Sequence, residues 1–299
     1  MARKERRVTL IHNAAAGHAN HDLSGIVKVI ERAGYRVKAL SSKDGNLDRV
    51  LDEPADLIVA GGGDGTVTKI ARKARTYGPP LAILPLGTAN NIAATLGVGG
   101  SLEAVVGTWA TGKSRPFHRF TVEGPWGRWC VVEGIGFGCI EQAIDEIELR
   151  KPSPRQAQEW LARSVLTSTA EELDVSLGSE TLSGRFVLLE ITNIPFVGPR
   201  LHLAPAADPS NALVHASFLE DRKEKRREFS DWLLQASAEV SAPVTTRCAR
   251  RVMVRGFFRR VRLNDENWSP SPPANGEDDQ PTSIYLEAEP KPIHFLVPD

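Results

Sequence analysis

Asp56-Leu57-Ile58-Val59-Ala60-Gly61-Gly62-Gly63-Asp64-Gly65-Thr66 decides the fold. Its apolar run does not alternate with polar residues, as expected of a strand buried on both faces of a parallel sheet. The run passes directly into three glycines, and behind them Val67, Ile70, Ala71 and Ala74 recur at helical spacing. Strand, glycine turn and helix is the unit from which open α/β sheets are built. The turn also has a chemical reading. Glycines let backbone N–H groups approach phosphate oxygens, and the helix start behind them favours negative charge. Asp64 stands where a carboxylate could bind magnesium or orient a hydroxyl. The competing reading is a plain strand-to-helix turn with Thr66 as its cap. No Lys-Ser/Thr follows at the Walker spacing, and the pattern is not the Gly-x-Gly-x-x-Gly dinucleotide turn.

The same unit repeats on either side. Val8 to Ile11 is a short strand ending in the small-residue loop Asn13 to Gly17, and Leu23, Ile26, Val27 and Ile30 form the next helix. Gly34 closes that helix before a strand over 35–40. Downstream, Leu81 to Leu84 leads into Pro85-Leu86-Gly87-Thr88-Ala89-Asn90-Asn91 and a helix over 92–96. Three small-residue turns thus follow three parallel strands and open on one sheet edge, the edge at which α/β sheets bind ligands. Beyond about residue 115 the rhythm changes to short strands, at 117–122, 129–134, 173–177, 185–192, 212–219, 252–257 and 261–263, which predicts a mainly antiparallel β domain. Helical insertions are expected over 141–168 and 224–238, and a solvated loop over 269–283. The fold class expected is therefore α/β, a parallel-sheet nucleotide domain over 1–115 followed by a β domain over 116–289.

Composition narrows the function classes. Among 299 residues the basic and acidic side chains each number 37, so no global field argues for nucleic acid. Three scattered cysteines, Cys130, Cys139 and Cys248, give neither a disulfide framework nor a zinc motif. The apolar stretch near the start is shorter than a secretory signal needs, and no segment has the length of a membrane span. A cytoplasmic protein is expected, touching a membrane at most peripherally at its inner face.

Taken in order and spacing, Asn13-Ala14-Ala15-Ala16-Gly17, Gly62-Gly63-Asp64-Gly65-Thr66 and Pro85 to Gly97 resemble the three nucleotide-site motifs of the diacylglycerol kinase catalytic domain, shared with sphingosine and ceramide kinases. NAD kinases and phosphofructokinases share the Gly-Gly-Asp-Gly turn, but the Pro-x-Gly-Thr-x-Asn segment about twenty residues later is the lipid-kinase arrangement. The resemblance continues at Gly134-Ile135-Gly136-Phe137, Thr192-Asn193, Leu203-Ala204-Pro205 and Leu263 to Glu266. It implies ATP and magnesium as cofactors. Asn13, Gly17, Gly61, Gly62, Gly63, Gly65, Thr66, Gly87, Thr88 and Asn90 would hold the nucleotide, with Asp64 as catalytic acid and metal ligand. It further implies Glu266 as general base, a lipid hydroxyl acceptor in an interdomain cleft, and a final segment, 290–299, that returns to the first domain. It leaves room for a homodimer.

Three family carboxylates are missing. Asn91 follows Asn90 where an aspartate is usual, Gly138 follows Phe137 where another is, and Asn211-Ala212 replaces an Asp-Gly pair. Two readings follow: a working kinase built on Asp64 and Glu266, or a relative that has lost phosphoryl transfer and binds nucleotide or lipid. Arg222, Arg226, Arg227, Arg250, Arg251, Arg255, Arg259, Arg260 and Arg262 form either a basic face for an anionic bilayer or a merely solvated one. His12, His18 and His21 crowd the first loop. Trp126, Trp129, Phe257 and Phe258 line a lipid cleft or pack in the core.

Overall fold

In the computed structural model, residues 6–17, 22–44, 46–150, 153–235, 240–269 and 280–299 are described, and the chain divides into two units. The first comprises Met1–His118 with Lys291–Asp299, the second Arg119–Pro290. His18 and His21 of the first loop and residues 270–279 of the expected solvated loop lie outside the described residues.

The first unit runs β1 (Arg6–His12), α1 (Leu23–Arg32), β2 (Tyr35–Ser41), α2 (Leu47–Asp52), β3 (Leu57–Gly62), α3 (Asp64–Lys73), β4 (Leu81–Pro85), α4 (Asn91–Thr95), α5 (Leu102–Thr108) and β5 (Lys113–Phe117). The second runs β6 (Phe120–Gly124), β7 (Gly127–Val131), β8 (Gly134–Gly138), α6 (Cys139–Arg150), α7 (Pro154–Thr167), β9 (Glu171–Leu177), β10 (Glu180–Thr192), β11 (Phe196–Val197), β12 (Leu201–His202), β13 (Val214–Glu220), α8 (Lys223–Gln235), β14 (Thr245–Ala249), β15 (Arg251–Gly256), β16 (Val261–Leu263), β17 (Glu266–Trp268) and β18 (Thr282–Ala288). β19 (Ile293–Val297) then belongs to the first unit again.

The first sheet has the order β2-β1-β3-β4-β19-β5. β1 pairs parallel with β2 and β3, and β4 pairs parallel with β3 and β19. β5 is antiparallel to β19, so the otherwise parallel sheet is mixed at one edge. The central strands are buried throughout their apolar runs: Leu10, Val59, Ala82 and Leu84 have no exposed surface. α1 starts where the Asp22 carboxylate accepts the Ser24 and Gly25 N–H groups, satisfying two donors a helix start leaves open. It buries Ile26 and Ile30, spaced one turn apart. Sequence periodicity misses α2 and α5, which are six and seven residues long, too short for the pattern to stand out.

In the second unit the strands lie antiparallel in the order β17-β16-β8-β10-β9-β15-β18-β6-β7, with β13 branching from β10 to β14. β10, thirteen residues long, pairs with β9 through its first half and with β8 and β13 through its second. A register shift near Val187 opens a bulge in it. One face packs a core around Phe120, Val122, Ile135, Val175, Ile191, Val254 and Ile284; on another, α6, α7 and α8 close over Val187, Leu188 and Leu203. α7 opens on a capping box of Ser153 and Gln156.

Glu171, at the start of β9 and 5% exposed, accepts the Arg259 N–H at 3.3 Å. Burial pushes its carboxyl from 4.5 up to about 7, against the opposing pull of that N–H and the Arg259 charge. A raised folded pKa means the stabilisation is complete below the unfolded value and lost as pH rises through the folded one. Glu171→Gln is therefore expected to remove roughly 3 kcal/mol of pH dependence between about pH 4.5 and 7. Urea unfolding of both proteins across that range checks it; parallel curves would rule it out.

Candidate functional site

The three turns predicted from sequence lie at the C-terminal ends of β1, β3 and β4, which are adjacent and parallel. The first is drawn onto β3: Asn13 N–H donates to Gly61 O at 2.9 Å, and Asn13 Nδ2 donates to Thr66 Oγ1 at 3.3 Å. The Asn13 Oδ1 accepts Ala15 N–H, shaping the loop up to Gly17, whose φ is +67°. A Cβ on Gly17 would stand 2.5 Å from Leu86 O, so this glycine permits the first and third turns to touch.

The second and third turns are in closer contact still. A Cβ on Gly87 would lie 2.3 Å from the Gly63 Cα, and one on Gly62 would lie 2.4 Å from Thr66 Oγ1. Asn90, in the left-handed conformation at φ 51°, accepts Gly87 N–H on its Oδ1 and donates from Nδ2 to Gly87 O. Asp64 joins the two turns: one carboxylate oxygen accepts Asn91 N–H at 2.9 Å and the other accepts Ile92 N–H at 3.0 Å. Of the nucleotide residues expected from sequence, Asn13, Gly17, Gly61, Gly62, Gly63, Gly65, Thr66, Gly87, Thr88 and Asn90 thus share one loop cluster, with Thr88 exposed and Thr66 buried. The clamp by Asp64 is not legible from motif spacing, because its partners are backbone atoms 27 and 28 residues away.

Asp64 is also the carboxylate expected to hold metal. Each of its oxygens accepts a backbone N–H. Among the described residues no group of three or more His, Cys, Asp or Glu side chains is placed to hold a metal ion. Magnesium ordinarily reaches kinase sites on substrate phosphates, with one or two carboxylates and several waters completing its shell.

The second unit holds the remaining expected residues. Glu266 opens β17, exposed, just past the turn Asn264-Asp265 that follows β16. Gly138 has φ +99°, and a Cβ there would lie 2.2 Å from Val187 O, so the bulge in β10 closes the space an aspartate would need. Asn211 Oδ1 accepts Leu213 N–H, which gives it a turn-forming role. The arginines do not make one face: Arg262 is buried, and Arg226 donates to Val165 O, Ser168 O and Asp221. Trp126 and Trp129 pack against the β core, and Phe258 packs on Phe137, while Phe257 is half exposed. His12 is buried in β1. Among the described residues no helix is long and apolar enough to cross a membrane.

Residues 7–122 match the diacylglycerol kinase catalytic domain. The chain is 35% identical over 102 residues to a protein of Pseudomonas aeruginosa (strain UCBPP-PA14) named "Probable lipid kinase YegS-like", covering 32% of this chain and 33% of that one. It is 29% identical over 102 residues to a diacylglycerol kinase of Bacillus subtilis (strain 168), covering 31% and 34%. The matched stretch thus spans about a third of the length of these curated relatives. A solved structure of a diacylglycerol kinase from Bacillus anthracis str. Sterne superposes with a TM-score of 0.68 at 15% identity, covering 99% of this chain and 98% of that one. At that identity the likeness establishes a shared fold.

Proposed function

We propose that this chain, whose residues 7–122 match the diacylglycerol kinase catalytic domain, is an ATP-dependent kinase that transfers the γ-phosphoryl group to a lipid hydroxyl. The observation that carries the proposal is the loop cluster at the ends of β1, β3 and β4, locked by Asp64 and by contacts that only glycines allow. Backbone N–H groups of the turn at Gly63, Asp64 and Gly65, with the N-terminus of the ten-residue α3, supply fixed positive partial charge for phosphate oxygens. Because the turns are held before the ligand arrives, little reorganisation opposes phosphate binding.

In the chemistry proposed, Glu266 takes the proton of the acceptor hydroxyl as its oxygen bonds to the γ-phosphorus. The bond from that phosphorus to the bridging oxygen breaks, and ADP leaves with the electron pair. Bound magnesium would neutralise phosphate charge. The acceptor is diacylglycerol-like or a sphingoid base.

The closed position at Gly138 favours a second reading, a family relative that binds nucleotide or lipid without transfer. Purified protein with γ-labelled ATP, magnesium and mixed micelles of lipid alcohols separates the two. Labelled lipid is expected, and Glu266→Gln should lower kcat by about 10²–10⁴-fold with the fold intact. ATP binding without transfer to any acceptor would leave the second reading.

A further inference from the structure

Beneath the turn that carries Glu266 lies a charged cluster with almost no exposed surface. Glu190 of β10, Gly136 of β8 and Arg262 of β16 stand in one row across three neighbouring strands, since Gly136 is the register partner of both others. Lacking a side chain, Gly136 opens the gap through which Arg262 Nη2 reaches Glu190 Oε2 at 2.6 Å. Glu141 enters the same gap from α6 and accepts Arg262 Nε–H at 3.3 Å. Both carboxyl groups are 0% exposed and the guanidinium side chain 8%.

Two acids facing one cation in a dry interior leave a surplus negative charge, which such a site does not tolerate. Glu141 Oε2 and Glu190 Oε1 are both buried without a donor, yet the two side chains are within hydrogen-bonding reach of each other. One proton carried by Glu141 and donated to Glu190 satisfies both acids and makes the cluster neutral. Burial, then the Glu190 charge, holds the Glu141 carboxyl well above the usual range, and the Arg262 charge opposes this without prevailing. Burial also raises Glu190, but there Arg262 and the proton from Glu141 pull the other way. The other ionisable groups bearing on the cluster are Cys139 of α6 and Glu133 before β8, while Arg260 Nη1 reaches the Glu141 carbonyl.

The free end of Arg262 points to a use. Its Nη1 donates to Asn264 O at 2.7 Å, and Asn264 holds the left-handed conformation at φ 56°. Asn264 Oδ1 in turn accepts Val132 N–H at 2.9 Å and Glu133 N–H at 3.1 Å, and its own N–H donates to Gly134 O. We propose that Arg262 is a positioning residue for Glu266: the neutral cluster, one proton shared by Glu141 and Glu190, anchors Arg262, which fixes the Asn264 turn from which Glu266 projects. This rests on the reading of Glu266 as the general base, and the test keeps the two apart.

Infrared difference spectra of the wild-type protein against Glu141→Gln at neutral pH are expected to show the carbonyl stretch of one buried protonated carboxyl in the wild type alone. Glu141→Gln should fold normally, since an amide can donate to Glu190 as the acid does. In Arg262→Lys, amide exchange at Val132, Glu133 and Asn264 should quicken about tenfold, the worth of one hydrogen bond, while β9 and β10 stay protected. Its kcat should fall on the order of 10²-fold with the KM for ATP unchanged. If Arg262→Lys fails to fold, Asn264→Gly, which keeps the backbone conformation and loses the side-chain acceptor, should give the same exchange and kcat pattern. Absence of the wild-type band overturns the shared proton. Unchanged exchange, or loosened exchange with an unchanged kcat, overturns the positioning role. A wild-type protein that transfers no phosphate while band and exchange behave as expected refutes the kinase reading and leaves the clamp standing.

Discussion

Gly136→Ala is expected to destabilise the protein by about 3–5 kcal/mol, the range for breaking a buried ion pair, although alanine suits a strand better than glycine does. The new Cβ would lie 2.2 Å from Glu141 Oε1, 2.5 Å from Glu190 Oε1 and 2.9 Å from Arg262 Nη2. None of the three can step aside into water, because the strands β10 and β16 and the helix α6 hold them from three directions. Displacing Arg262 strands at least one ionised carboxylate. Chemical denaturation of purified protein checks this, and a change below about 1 kcal/mol would show that the gap beside Gly136 accommodates a methyl group.

Asp64→Ala should lower both stability and nucleotide affinity, by different routes. Two charge-assisted hydrogen bonds to the Asn91 and Ile92 N–H groups vanish, which corresponds to roughly 3 kcal/mol when both donors stay buried. The second and third turns then separate, so phosphate binding weakens as well. Asp64→Asn keeps one acceptor oxygen and should fall between. Unfolding measured without nucleotide decides the role: a stability loss there marks Asp64 as a clamp, whereas full stability with ATP binding abolished would make it a ligand to the phosphates or their metal.

Both predictions rest on contacts that motif reading does not reach. Legible in the sequence were the buried run Leu57 to Ala60, the glycines behind it and the helical spacing of Val67, Ile70 and Ala71, because each is an effect between near neighbours. The antiparallel strands of the second unit were legible in outline for the same reason, although the bulge at Val187 and the long reach of β10 were not. The arginine run illustrates the failure. Arg262 reads as one of nine arginines on a basic or merely solvated face, yet it is the buried partner of two glutamates.

Sequence alone determined the strand, turn and helix alternation and the three glycine-bearing loops, whose residues are here proposed to serve a phosphate. These follow from backbone freedom and side-chain periodicity over a few residues. Tertiary structure alone decided that Asp64 spends its oxygens on Asn91 and Ile92, that Gly138 leaves no room for an aspartate, and that Glu141, Glu190 and Arg262 meet. Such contacts span 27 to 121 residues and depend on strand register, in which a shift of one residue would turn every side chain to the other face.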